Sequence, residues 1–114
     1  MKLKTCINLY EVLNANVFAN VLYRPKFWAT RARYEYASYE AWQDIHGGPN
    51  LQGVIYCNLK HLNGNNLLEI IYHEMVHQYV EEFLEVEEED HHGEIFRRNH
   101  DLFKPSSIGV YEYE

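Results

Sequence analysis

The sequence predicts a small α+β domain: a first helix, a sheet of about three strands, a long central helix packed on that sheet, and a closing helix. Three observations carry this. Apolar residues recur at the helical period in three separate segments. An aromatic-rich stretch and a short apolar run between them suit strands, and clusters of Gly, Pro and Asn mark the boundaries. With 114 residues, the chain reads as a single domain over 1–114 without repeats, long enough to bury a self-sufficient core.

The first helix is expected from about Ile7 to Tyr23, where Leu9, Val12, Leu13, Val17, Phe18, Val21 and Leu22 follow the helical period until Arg24-Pro25 stops it. From Lys26 to about Tyr39, the aromatics Phe27, Trp28, Tyr34, Tyr36 and Tyr39 predict one or two strands, against the pull of Ala29, Ala32, Ala37 and Ala41. Asp44-Ile45-His46-Gly47-Gly48-Pro49-Asn50 is dense in turn formers and reads as a loop; Gly53 to Asn58 then reads as a short buried strand. Asn63-Gly64-Asn65-Asn66 is a second turn that supplies an N-cap candidate for a helix from about Asn66 to Glu85. On a wheel, Leu68, Ile71, Tyr72, Met75, Val76, Tyr79 and Phe83 form its broad apolar face. His73 and His77 lie opposite, flanked by Ile70, Val80 and Leu84, so the histidine face is expected to be covered by another element. Gly93 to Lys104 reads as the closing helix, ended by Pro105, and the tail Ile108 to Glu114 carries no clear pattern.

Composition narrows the class. Cys6 and Cys57 stand far apart and form no C-x-x-C pair, which argues against a disulfide framework or a cysteine zinc ribbon and for reduced thiols in the cytoplasm. The start, Met1 to Thr5, is charged but is followed by Asn8, Glu11, Asn14, Asn16 and Asn20 rather than an apolar leader, and no stretch approaches a membrane span. A cytoplasmic protein with no membrane partner is expected. Residues 1–57 carry a balance of +2 and residues 58–114 one of −9, for a net charge of −7. That sign disfavours non-specific binding to nucleic acid phosphates, although the basic first half leaves a local contact open.

His73-Glu74-Met75-Val76-His77 is an H-E-x-x-H pattern. Residues four apart on a helix lie one turn above each other, so both imidazoles can reach one ion. Zinc accepts neutral imidazole nitrogen, and its catalytic sites take three protein ligands and leave a fourth position for water. Glu74 projects from the same side, where a carboxylate can take a proton from that water. A third ligand must come from elsewhere, because the metzincin continuation would need Gly and His where the chain has Val80 and Phe83. Glu94 and Asp101 are candidates; His91 and His92, at the mouth of the closing helix, are better placed chemically.

Ile55-Tyr56-Cys57-Asn58-Leu59, His73-Glu74-Met75-Val76-His77 and His92-Gly93-Glu94-Ile95-Phe96 together resemble the SprT-like zinc metallopeptidases, the group that includes the Spartan proteases of DNA–protein crosslink repair. The resemblance covers roughly residues 53–103. It implies a zincin-like fold, one catalytic zinc, and a third ligand at His92, directly before Gly93, rather than at His91. The chain departs from that family in showing neither the cysteine zinc ribbon of bacterial members nor the DNA-binding extensions of Spartan proteases, so it reads as a minimal form, the bare catalytic domain.

The expected function is zinc-dependent hydrolysis of peptide bonds in protein or peptide substrates, with His73, His77 and His92 as ligands and Glu74 as base toward water and acid toward the leaving amine. Two alternatives stand beside it. One is a DNA-associated protease acting on DNA–protein crosslinks; the other is a noncatalytic, zinc-stabilised binding module. Among the remaining features, the acidic run from Glu81 to Asp90 reads as a solvated helix end and connection, or else as a rim attracting basic substrates. Arg24 to Trp28 and Arg31 to Tyr36 interleave bases with aromatics, as a sheet with one buried face does and as a single-strand nucleic-acid platform also does. His46, His61 and His100 read as isolated surface or hydrogen-bonding residues. His100 and Glu69 have the added potential to support a ligand, and Tyr111 or Tyr113 to donate to an oxyanion.

Overall fold

A computed structural model describes residues 1–31, 35–41 and 53–103. Helix α1 spans Leu3–Asn16, strands β1, β2 and β3 span Lys26–Ala29, Ala37–Glu40 and Val54–Cys57, helix α2 spans Leu67–Gln78, and helix α3 spans Glu94–Phe103. The α+β layout expected from the sequence is the architecture observed. Loop 44–50, Ala32, Tyr34, Pro105 and the tail lie outside the described residues.

Helix α1 buries Cys6, Leu9, Tyr10 and Leu13, one stripe at the helical period. It stops at Asn16, well before the expected Tyr23. Ala19 and Asn20 take left-handed backbone angles, φ 52° and 59°, and the Asn20 N–H donates to the Asn14 carbonyl at 2.8 Å. The Asn14 amide then brackets Leu22, donating to its carbonyl at 2.9 Å and accepting its N–H at 3.3 Å. This reversal still delivers Phe18 and Leu22 to the core. The apolar spacing was therefore satisfied by a folded-back segment instead of by further helical turns.

The sheet order is β1-β3-β2, with β1 parallel and β2 antiparallel to β3. Central β3 buries Val54, Ile55 and Cys57, which explains its near-continuous apolar run. Phe27 pairs with Ile55 on the core side, whereas Trp28, paired with Tyr56, is 53% exposed on the other face. Strand β1 thus buries Phe27 and leaves Lys26 and Trp28 exposed, a pattern that both readings of this segment share.

Helix α2 lies against β2 and α1, burying Leu67, Leu68, Ile71, Tyr72, Met75 and Val76. Asn66 occupies its N-cap position, yet it is Asn63 whose side-chain oxygen accepts the N–H groups of Asn65 and Asn66, at 2.8 and 3.2 Å. Beyond Gln78 the helix widens into a π-helical turn, Tyr79–Phe83. That widening shifts the phase, so Phe83, expected on the apolar face, is 51% exposed. Cys6 and Cys57 are both free and fully buried. Among the described residues no helix is long and apolar enough to cross a membrane.

Candidate metal centre

The helical spacing of α2 stacks His73 and His77 with ring centroids 4.9 Å apart. His92 enters from the turn before α3 and brings its Nε2 to 3.1 Å from that of His73. One ligand nitrogen from each of the three histidines lies within 4.8 Å of the other two. Phe96 backs them, stacked on His77 at 4.2 Å and centred 5.0 Å from both His73 and His92. The sequence expectation that another element covers the histidine face is met by α3.

Electrostatics prepare these groups to donate lone pairs. Burial, then the charges of His92 and His100, hold His73 down at about 4; burial and the neighbouring histidines hold His77 at about 3. Both are neutral at pH 7, the form that binds a metal. Three converging imidazoles fit a metal ion, and geometry alone does not choose which.

Glu74 sits between His73 and His77 in sequence and is only 6% exposed. Its Oε2 is buried with no hydrogen-bond partner among the described residues. Burial, reinforced by Glu35 before β2 and by Glu81, raises the carboxyl to about 8. A buried acceptor left unsatisfied is costly, and Glu74 directly follows His73 on the helix that carries two of the three converging imidazoles.

Polar bonds, several from the acidic run, brace this centre. Gln78, fully buried, accepts from the Tyr10 hydroxyl at 2.8 Å and donates to the Tyr23 carbonyl at 2.6 Å and to Glu82 Oε2 at 3.0 Å. Glu82 Oε1 in turn accepts from the Tyr39 hydroxyl, joining α1, α2 and β2. Gly53 makes room for this last contact, since a Cβ there would lie 2.5 Å from Tyr39 Cε2 and 2.8 Å from Glu82 Oε1. After Phe83 the chain turns at Glu85, φ 55°, and Asp90 Oδ1 accepts the His92 N–H at 3.0 Å. Glu85, Glu87, Glu89 and Asp90 are exposed, as a solvated connection implies, whereas Glu82 is half-buried and hydrogen-bonded.

Other candidates fall outside the cluster. His91 is exposed, Glu94 pairs with Arg98 at 2.8 Å, and the Asp101 side chain is 86% exposed. The ring of His100 is centred 5.9 Å from that of His73, and its backbone carbonyl accepts from the Tyr72 hydroxyl. His61 packs near Tyr36, with ring centroids 5.9 Å apart, and Glu69 is exposed. His46, Tyr111 and Tyr113 lie outside the described residues. The sequence reading missed Gln78, although its place on the core stripe, i+7 from Ile71 and i+3 from Met75, was a usable signal. Compared with known proteins, the chain matches no family model, and no curated protein or solved structure is significantly similar to it.

Proposed function

We propose that this chain is a zinc-dependent metallopeptidase domain of the SprT-like type, hydrolysing peptide bonds in protein substrates. The observation that carries this reading is the meeting of His73, His77 and His92, with Glu74, directly after His73 on the same helix, holding a buried carboxyl oxygen that has no hydrogen-bond partner among the described residues. Zinc suits a site of three imidazoles, and the exposure of His92 leaves a coordination position accessible to water and substrate. A zinc ion held there supplies Lewis acidity, polarising a carbonyl and bringing water's pKa to about 7.

The remaining chemistry belongs to the chain. The Glu74 carboxylate accepts the proton of the attacking water and delivers it to the departing amine nitrogen. Burial alone favours the neutral carboxyl, whereas a nearby dication favours the carboxylate, so metal uptake and base function are coupled. Strand β2 packs against α2 and, among the described residues, pairs on one side only. Its other edge offers an extended substrate a strand to pair with. Exposed Glu87 and Glu89 favour basic protein substrates over nucleic acid phosphates.

Glu74→Gln tests this reading. Gln keeps the size and can hydrogen-bond water but cannot accept a proton at neutral pH. The variant should retain zinc, measured by elemental analysis, and cleave a labelled unfolded protein about 10²–10⁴-fold more slowly, the range for losing positioned proton transfer. Loss of zinc would make Glu74 a structural or ligand residue. Retained zinc with unchanged cleavage would remove the enzyme assignment and favour a zinc-stabilised binding module.

A further inference from the structure

Glu88 lies within the acidic connection, yet its side chain is half-buried and turned toward α3. Its Oε1 accepts the Phe96 N–H at 3.0 Å and its Oε2 accepts the Ile95 N–H at 3.2 Å. Gly93 stands at the N-cap position, since its carbonyl accepts the Arg97 N–H at 3.0 Å and opens the first helical turn. An ordinary N-cap residue satisfies the next free N–H groups with its own side-chain oxygen. Gly93 has none, and Glu88 supplies both acceptors from upstream. A carboxylate also suits the positive end of the helix dipole.

The glycine is part of the same arrangement. A Cβ at Gly93 would lie 2.2 Å from Glu88 Oε2 and 2.7 Å from its Cδ, with the Asp90 carbonyl at 3.1 Å. Any side chain there displaces the carboxylate. What the cap holds is the metal centre itself: His92 directly precedes Gly93, and Phe96, whose N–H is bound, stacks on His77 and edges His73.

We propose that Glu88 is a positioning residue for the metal centre: its carboxylate caps α3 through the space left by Gly93, holding His92 and Phe96 against His73 and His77. The inference rests on the metal centre proposed above. Losing Glu88 removes no ligand, so its effect is on how tightly the three imidazoles converge, as for other groups that orient ligands from behind.

Titration of the metal-free full chain with cobalt(II), read by visible absorption, tests this, with folding checked by circular dichroism. Glu88→Ala should weaken cobalt binding by about 10–100-fold and alter the absorption bands, which a purely structural cap would leave unmoved. Glu88→Gln, keeping one acceptor oxygen, should fall between. Gly93→Ala should weaken binding by displacing the same carboxylate, and adding it to Glu88→Ala should cost little more, because its Cβ then meets no carboxylate. Should Glu88→Ala fail to fold, Glu88→Gln and Gly93→Ala carry the same comparison. Unchanged cobalt affinity and bands in the folded variants, or full additivity in the double, would overturn the cap while leaving the metal centre standing. A wild-type chain that binds neither cobalt nor zinc would overturn both.

Discussion

The two sides of the proposed metal centre are built by different means. Helix α2 aims His73 and His77 through local geometry alone, since any helix over these residues stacks them one turn apart. The connection from Leu84 to Gly93 has no such repeat. It brings His92 into place through a left-handed Glu85, the Asp90 bond to the His92 N–H, and the turn closed by the Gly93 N–H on the Asp90 carbonyl. A ligand pair set by secondary structure tolerates changes around it, while a ligand set by tertiary hydrogen bonds depends on each of them.

Removing ligands should give the largest effects. His77→Ala and His92→Ala should each weaken zinc binding by more than the about 10–100-fold expected from loss of a supporting contact. Zinc should raise the melting temperature of the wild type and much less that of these variants, because stabilisation by a ligand follows its affinity. His91→Ala, outside the cluster, should bind as the wild type does. Equal losses for His91 and His92, measured by competitive chelator titration, would break the assignment of the connection's ligand and leave only the helix pair secure.

The next test separates support of α2 from support of the connection. Gly53→Ala pushes a methyl into the Tyr39–Glu82 contact, and overpacking of this kind costs about 1–3 kcal/mol. Melting temperature should fall with and without zinc, whereas cobalt affinity at low temperature should hold, because His73 and His77 lie on the helix turns before the affected π-helical segment. A large affinity loss would show that even the helix pair relies on tertiary bracing.

This contrast also explains what was legible in the sequence. Helical period, strand composition and turn residues revealed the α+β order, and four-residue spacing revealed His73 and His77, because each is a local property. His91 and His92 are adjacent residues of one type, and local chemistry does not separate them; the choice came from resemblance to a family. The early end of α1 was hidden because Phe18 and Leu22 satisfy the helical period while reaching the core by a chain reversal. Gln78, Glu82 and Glu88 were obscured for the opposite reason. Polar residues near a charged run read as solvated, and only the folded chain reveals their buried partners in Tyr10, Tyr39 and the α3 backbone.

The smallest expected effect is on the pH dependence of the metal-free protein, where the histidine pair and Glu74 act in opposite directions. His73 and His77 are held at about 4 and 3 when folded against 6.5 when free. As pH falls below 6.5, the unfolded chain binds protons that the native state refuses, so stability drops toward pH 3–4. Glu74 runs the other way, with a folded value of about 8 against 4.5. Its contribution is fully present below pH 4.5 and is lost as pH rises through 8, because the unfolded carboxyl ionises first. In chelator-treated protein, Glu74→Gln removes only this alkaline loss. Its melting temperature should therefore exceed that of the wild type at pH 8.5 by about 4 °C or more, the shift given by ~1 kcal/mol in a domain of this size. The gap should close toward pH 4.5, while the acid-side decline set by the histidines persists in both proteins. A gap independent of pH would mean that Glu74 does not keep its proton in the metal-free fold.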